Sequence, residues 1–258
     1  MKRVRPKKRL GQHFLKDNSI AKRVADAICA DNCDAVLEVG PGTGVLTKYI
    51  LERRFENFSV VEIDRESVSY LKDNFKGLNI IQADFFSLDI NNLYPGTLAI
   101  VGNFPYNISG PLLFRVLEYR DRILELTGMF QHEVALRICS PPGSRVYGIL
   151  SVLLQAYYNI EYLFSVPPHV FYPEPKVKSG VIRLRRNNAT RLDCNEELFL
   201  RVVKSSFGHR RKMLRNSIKS AFNISSEECP FFRLRPEQLS VEQFVELTRW
   251  ISDKMVSE

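Results

Sequence analysis

Cysteine is scarce and poorly spaced for any framework: five residues (29, 33, 139, 194 and 229), an odd number, with no C-x-x-C pair. Four histidines, at 13, 132, 169 and 209, are equally scattered. Neither a disulfide scaffold nor a zinc centre is expected from this spacing, and metal catalysis has no sequence support. No apolar run approaches the roughly 20 residues of a membrane span. The segment Met1-Lys2-Arg3-Val4-Arg5-Pro6 also lacks the apolar stretch of a signal peptide. The expected location is cytoplasmic, with no membrane partner. Internal repeats and low-complexity tracts are absent as well.

What is present is an ordinary globular composition, 258 residues with 45% hydrophobic and 26% charged. The net charge of +8 is spread unevenly. Residues 1–10 carry six Lys/Arg and no acid, and residues 173–219 carry thirteen Lys/Arg against four acids. The rest of the chain is net acidic. Clustered cations that displace counterions are the signature of a polyanion-binding face, so nucleic acid is the expected partner.

From residue 18 onward helical and strand patterns alternate. Asn18 and Ser19 are placed to cap a helix through Ile20, Val24, Ala27 and Ile28. Short apolar runs follow at 35–39, 58–63, 78–81 and 98–101, with further strands expected at 123–130, 160–166 and 179–185. Such runs, separated by helices, imply parallel strands covered on both faces, a doubly wound α/β arrangement. After about residue 187 only helical patterns remain, at 196–207, 210–222 and 241–255. The expected domains are therefore 1–188, with a basic N-terminal arm, and a small all-helical unit, 189–258.

Chemistry is concentrated at strand ends. Gly40, Gly42 and Gly44 follow the first strand in a G-x-G-x-G pattern that permits tight turning and close backbone approach to a ligand. It is not the G-x-G-x-x-G of dinucleotide folds. Glu62 ends the second strand, where a carboxylate can accept both hydroxyl hydrogens of a ribose. Asp84 ends the third, within reach of an adenine amine. Together they describe a nucleoside ligand without a pyrophosphate, and S-adenosylmethionine fits. After the fourth strand comes Asn103-Phe104-Pro105-Tyr106. An exocyclic amine has a delocalised lone pair and is a poor nucleophile. The Asn103 amide oxygen and the Phe104 carbonyl can accept its two hydrogens, favouring a tetrahedral nitrogen. Pro105 fixes the backbone that aims that carbonyl, and Tyr106 offers a stacking face for an extruded base.

These motifs resemble those of the small-subunit rRNA adenine N6-dimethyltransferases, the kasugamycin-sensitivity enzyme family. The resemblance extends through Lys8 to Leu15, Glu38 to Gly44, Val61 to Asp64, Gly102 to Ser109, Gln131 to Arg137, Tyr147 to Val152, Val166 to Ser179 and Phe207 to Ser217. It implies a Rossmann-like S-adenosylmethionine-dependent methyltransferase fold. It also implies dimethylation of two adjacent adenosines in the 3′-terminal hairpin loop of small-subunit (16S) rRNA, within an immature 30S-type subunit. By the same resemblance the donor is held by His13, Leu15, Gly40, Glu62, Asp84 and Asn103, and Phe171 sandwiches the target base against Tyr106. The chain departs from the family pattern at three positions: His13 stands where asparagine is common, Phe104 for a frequent leucine, and His132 for a common lysine.

Lys204, Arg210, Arg211, Lys212, Arg215 and Lys219 are the expected rRNA phosphate contacts, on helices whose apolar side carries Phe207, Leu214 and Ile218. Two other readings stay open on sequence grounds. One is the large-subunit rRNA adenine dimethyltransferase associated with macrolide resistance; the other is a non-catalytic nucleic-acid-binding factor on the same fold. A monomer is expected, since no oligomerisation motif is visible.

Overall fold

The structure, a computed structural model, describes residues 4–209, 212–224 and 229–256. The chain begins with β1 (Phe14–Leu15) and α1 (Asn18–Asp26). It then alternates through β2 (Ala35–Val39), α2 (Val45–Glu52), β3 (Phe58–Glu62), α3 (Arg65–Asn74), β4 (Asn79–Gln82), α4 (Ile90–Leu93), β5 (Leu98–Asn103), α5 (Ser109–Glu118) and β6 (Ile123–Gln131). Helices α6 (His132–Cys139) and α7 (Ile149–Gln155) precede β7 (Tyr158–Val166), β8 (Phe171–Tyr172) and β9 (Ser179–Arg186). Helices α8 (Glu196–Gly208), α9 (Leu214–Phe222) and α10 (Val241–Val256) complete the chain.

Seven strands form one sheet in the order β4-β3-β2-β5-β6-β9-β7. The five from β4 to β6 are parallel, and β9 runs antiparallel to β6. All five residues of β2 are buried, as a central strand covered on both faces requires. Ile20, Val24 and Ala25 of α1 and Leu46 and Ile50 of α2 pack in one apolar cluster with Val36, Val101 and Met129 of the sheet. The chain order reverses between β2 and β5, so the carboxyl ends of these two strands open the crevice where doubly wound folds bind ligands. The expected α/β architecture is present. One detail of the first helix differs: its cap is Asp17, whose carboxylate accepts from the Ser19 and Ile20 amides, not Asn18 or Ser19.

The chain divides into two compact units, one of residues 1–135 with 159–186 and one of residues 136–158 with 187–258. Contact between elements thus groups 136–158 with the C-terminal helices, unlike the contiguous 1–188 and 189–258 expected from the sequence. The reason is local packing. Helix α7 buries Val152, Leu153 and Leu154 and packs on α8 and α10. The Gln155 side chain donates to the carbonyls of Ile138 and Ser140, and the Gly143 amide donates to the Glu237 carbonyl at 2.6 Å. Within this unit Phe207 stacks on Phe244 and meets Tyr147 edge-on. Leu214 and Ile218 are fully buried. Helix α9 begins at Leu214 with Met213 as its N-cap, so residues 212 and 213 of the helix expected over 210–222 are not helical, and residues 210 and 211 lie outside the described residues.

Candidate active site

The loop between β2 and α2 turns because three glycines take left-handed backbone angles: φ is 72° at Gly40, 57° at Gly42 and 77° at Gly44. Their surroundings differ. A Cβ on Gly40 would meet nothing within 4 Å, on Gly42 it would lie 2.8 Å from the Phe14 ring, and on Gly44 2.4 Å from the Phe75 ring. Gly40 and Gly42 line a cavity of about 250 Å³ at the carboxyl ends of the sheet strands, and Gly44 does not. The place of Gly44 is structural, as the left-handed N-cap of α2 set against Phe75.

The acids at the strand ends line the same cavity. Glu62 is 4% exposed; its Oε2 accepts from the Gly42 amide at 3.0 Å and its Oε1 from the Asp64 amide at 2.8 Å. The loop and the strand end are thus tied through one carboxylate. Burial pushes the Glu62 carboxyl up, against the pull of the Asp64 and Gly42 amides. Asp84 is exposed, caps the turn Phe85–Ser87 through the Phe86 amide, and also lines the cavity. Glu38 was not singled out by its sequence position. It is 1% exposed, lines the cavity, leaves Oε2 without a partner, and is raised to about 8 by burial with Glu62 nearby.

The N-terminal arm supplies a second wall. Residues Arg9 to Leu15 line the cavity, and β1 pairs antiparallel with β8, Leu15 opposite Phe171. The Asn103 amide nitrogen donates to the His13 carbonyl at 2.8 Å. That contact commits the donor end of the amide and leaves its oxygen as the acceptor. The His13 ring stacks on Tyr106 at 5.7 Å between centroids, with its Nδ1 2.6 Å from the Pro173 carbonyl. A carbonyl partner requires Nδ1 to carry the proton. The Tyr106 hydroxyl bonds to Ser179 Oγ at 2.7 Å. Phe104 is 1% exposed, and its ring occupies the space over Gly102 and Gly128, where a Cβ would come within 2.7 and 2.5 Å of it. Two facing glycines, paired in register across β5 and β6, thus make room for the Phe104 ring. Phe171 is buried and lines the cavity.

His13, Leu15, Gly40, Gly42, Glu62, Asp84, Asn103, Phe104, Pro105, Tyr106 and Phe171 are therefore brought to one cavity. Sequence reasoning missed Glu38, Ile63, Phe86 and Ser179. Ile63 is an apolar residue left 49% exposed beside the strand-end acid. Its exposure is a tertiary fact with no sequence signal. His132 Nδ1 lies 3.0 Å from the Tyr162 hydroxyl and is outside this cavity. Of the six cations singled out, Arg210 and Arg211 lie outside the described residues. Lys204 is exposed on α8, and Lys212 and Arg215 are exposed before and within α9. Lys219 lies over the Phe232 ring at 5.9 Å. Among the described residues there is no cluster of three or more metal-ligating side chains, and no helix is long and apolar enough to cross a membrane.

A family model for ribosomal RNA adenine dimethylases matches residues 3–253. The ribosomal RNA small subunit methyltransferase A of Flavobacterium johnsoniae is 55% identical over 256 residues, covering 97% of each chain. Its counterpart from Cytophaga hutchinsonii is 52% identical over 259 residues, covering 98% of this chain and 100% of that one. A dimethyladenosine transferase from Plasmodium falciparum shares the fold with a TM-score of 0.78 at 22% identity, over 94% of this chain and 98% of that one. The 23S rRNA methyltransferase ErmE follows with a TM-score of 0.67 at 25% identity, over 92% and 99%. With a match from end to end and the strand-end cavity in place, the chain belongs to the ribosomal RNA adenine dimethylase family.

Proposed function

We propose that this protein dimethylates the N6 amino groups of two adjacent adenosines in the 3′-terminal hairpin loop of small-subunit (16S) rRNA, with S-adenosylmethionine as donor. The residues present fit that donor. A glycine whose missing Cβ faces open cavity allows close backbone approach, and a buried carboxylate fixed by two amides stands at the end of β3. Gly40, Gly42, Glu62, Asp84, His13 and Leu15 would hold it. The bound donor supplies an electrophilic methyl carbon on a sulfonium.

The observation that carries the reading is the orientation of Asn103. Its nitrogen is held by the His13 carbonyl, so its oxygen is the end offered to an amine hydrogen. The Phe104 carbonyl accepts the second hydrogen, and the adenine nitrogen becomes tetrahedral with a localised lone pair. His13 covers one face of Tyr106, so the base stacks on the other, with Phe171 lining the same cavity. The displacement is in line, and positioning and fixed dipoles carry its rate. The amine proton turns acidic only as the new bond forms, and no dedicated base is required.

The relatives at half identity carry the small-subunit name, and the large-subunit enzyme ErmE stands at a quarter, which supports the 16S assignment over the 23S one. The protein acts as a monomer on an immature 30S-type subunit in the cytoplasm, with Lys204, Arg210, Arg211, Lys212, Arg215 and Lys219 on rRNA phosphates. The test is transfer of labelled methyl groups to undermethylated small subunits, followed by mapping of the label. Label at two adjacent adenosines of the 3′-terminal hairpin is expected. Label in large-subunit RNA assigns the alternative substrate, and none at all assigns a binding role.

A further inference from the structure

A carboxylate accepts two ribose hydroxyls best while ionised, and burial works against the ionised form of Glu62 while the Asp64 and Gly42 amides favour it. It is buried, Glu38 on β2 and Asp64 at the start of α3 lie near it, and Asp84 lines the same cavity. Asp64 touches it directly, because its own amide donates to Glu62 Oε1 at 2.8 Å, and its negative charge works against ionisation of Glu62. Among the described residues, the ion pairs that reach this group all come from Lys7. Its ammonium bonds to Asp64 Oδ1 and lies 3.1 Å from Glu66 Oε1.

The same lysine anchors the wall that closes the cavity. The Lys7 amide donates to Gln12 Oε1, the turn Lys8–Leu10 follows, and Gly11 ends it with φ of 62°. A Cβ at Gly11 would lie 2.3 Å from Asn107 Oδ1, so the arm is pressed against the loop after β5. Two residues on, the His13 carbonyl receives Asn103. The arm thus spans the site from the acids beside β3 to the catalytic asparagine, with Lys7 as its acid-side end.

We propose that Lys7 is a positioning residue of the donor site, whose ammonium neutralises Asp64, keeps Glu62 able to accept the ribose hydroxyls, and so couples docking of the N-terminal arm to donor affinity. The inference rests on the reading of Glu62 as the ribose acceptor. Its sign follows from the charges. Removing the cation leaves Asp64 uncompensated and raises the pH at which Glu62 ionises. Affinity is then lost at the pH where Glu62 takes up its proton and retained above it, and that transition moves upward without the lysine.

The charge chain is separable from simple anchoring because Asp64 can be neutralised without losing its cap. Asp64 accepts from the Glu66 amide and the Ser67 hydroxyl at the start of α3, and asparagine is as good an N-cap. The experiment is calorimetric titration of the full-length protein with S-adenosylhomocysteine across a pH series from about 5 to about 9, with Lys7→Gln, Lys7→Arg, Asp64→Asn and the Lys7→Gln/Asp64→Asn double variant. Lys7→Gln is expected to weaken binding by up to about tenfold at the low end of the series, the size of a one-unit shift, and to converge on the parent protein at the high end. Lys7→Arg should retain affinity. In the Asp64→Asn background the loss of Lys7 should have little effect. Unchanged affinity in Lys7→Gln overturns the proposal. So does a defect that persists at high pH or is undiminished in the Asp64→Asn background, since either marks a purely structural anchor. Parent protein that binds no S-adenosylhomocysteine overturns the donor reading itself, and that is read before any variant is compared.

Discussion

A primary amide has a donor end and an acceptor end, and at Asn103 the fold has already chosen between them. The His13 carbonyl takes the nitrogen, which leaves the oxygen free to accept. Replacing Asn103 by alanine should slow single-turnover methyl transfer by about a hundredfold or more, the scale of losing one aligned dipole at a reacting centre. Binding of S-adenosylhomocysteine should change far less, and calorimetry beside rapid-quench kinetics reads both. Motif spacing singled out Asn103 but not what holds it. The contact to His13 spans 90 positions of sequence, and no local pattern announces it. His13 itself differs from the expected asparagine, and its ring has a use the sequence did not suggest, stacking on Tyr106.

At the scale of elements, the glycine loop separates two demands that look identical in sequence. Gly40 and Gly44 both take positive φ, yet a Cβ at Gly40 would face the open cavity while one at Gly44 would meet the neighbouring Phe75 ring. Gly44→Ala should therefore lower thermal stability most, by about 1–3 kcal/mol from backbone strain alone, with overlap against Phe75 added. Gly40→Ala should retain more stability and lose more donor affinity. Thermal unfolding and ligand titration of the two variants check this contrast. The strands were legible because parallel strands buried on both faces read as continuous apolar runs, as in Ala35 to Val39. The start of α9 was not, because the basic residues before Leu214 have no propensity that marks a boundary.

At the scale of the molecule, the uneven charge is the feature that sequence carries whole. If Lys212, Arg215 and Lys219 each neutralise a phosphate, replacing all three by alanine should weaken binding to undermethylated small subunits. It should also flatten the log–log dependence on salt by about 2 units. A filter-binding series across ionic strength measures both, and a parallel loss with unchanged slope would assign those side chains another task. The division into units was less legible than the charge. Patterns are read in linear order, and residues 136–158 sit between two strands of the sheet, so their apolar side chains looked like part of the first unit.

That excursion has a practical corollary for anyone wishing to dissect the protein. Because α7 finds its packing partners in α8 and α10, no single cut yields a self-sufficient front half. A fragment ending at residue 188 would retain Tyr147, Val152, Leu153 and Leu154 while deleting the helices that shield them from water. Expressed alone, it should accumulate as aggregate, visible in the void volume of a sizing column. The backbone enters the second unit at residue 136, returns to the first at 159 and leaves it again at 187, so each unit is built from two separate stretches of chain.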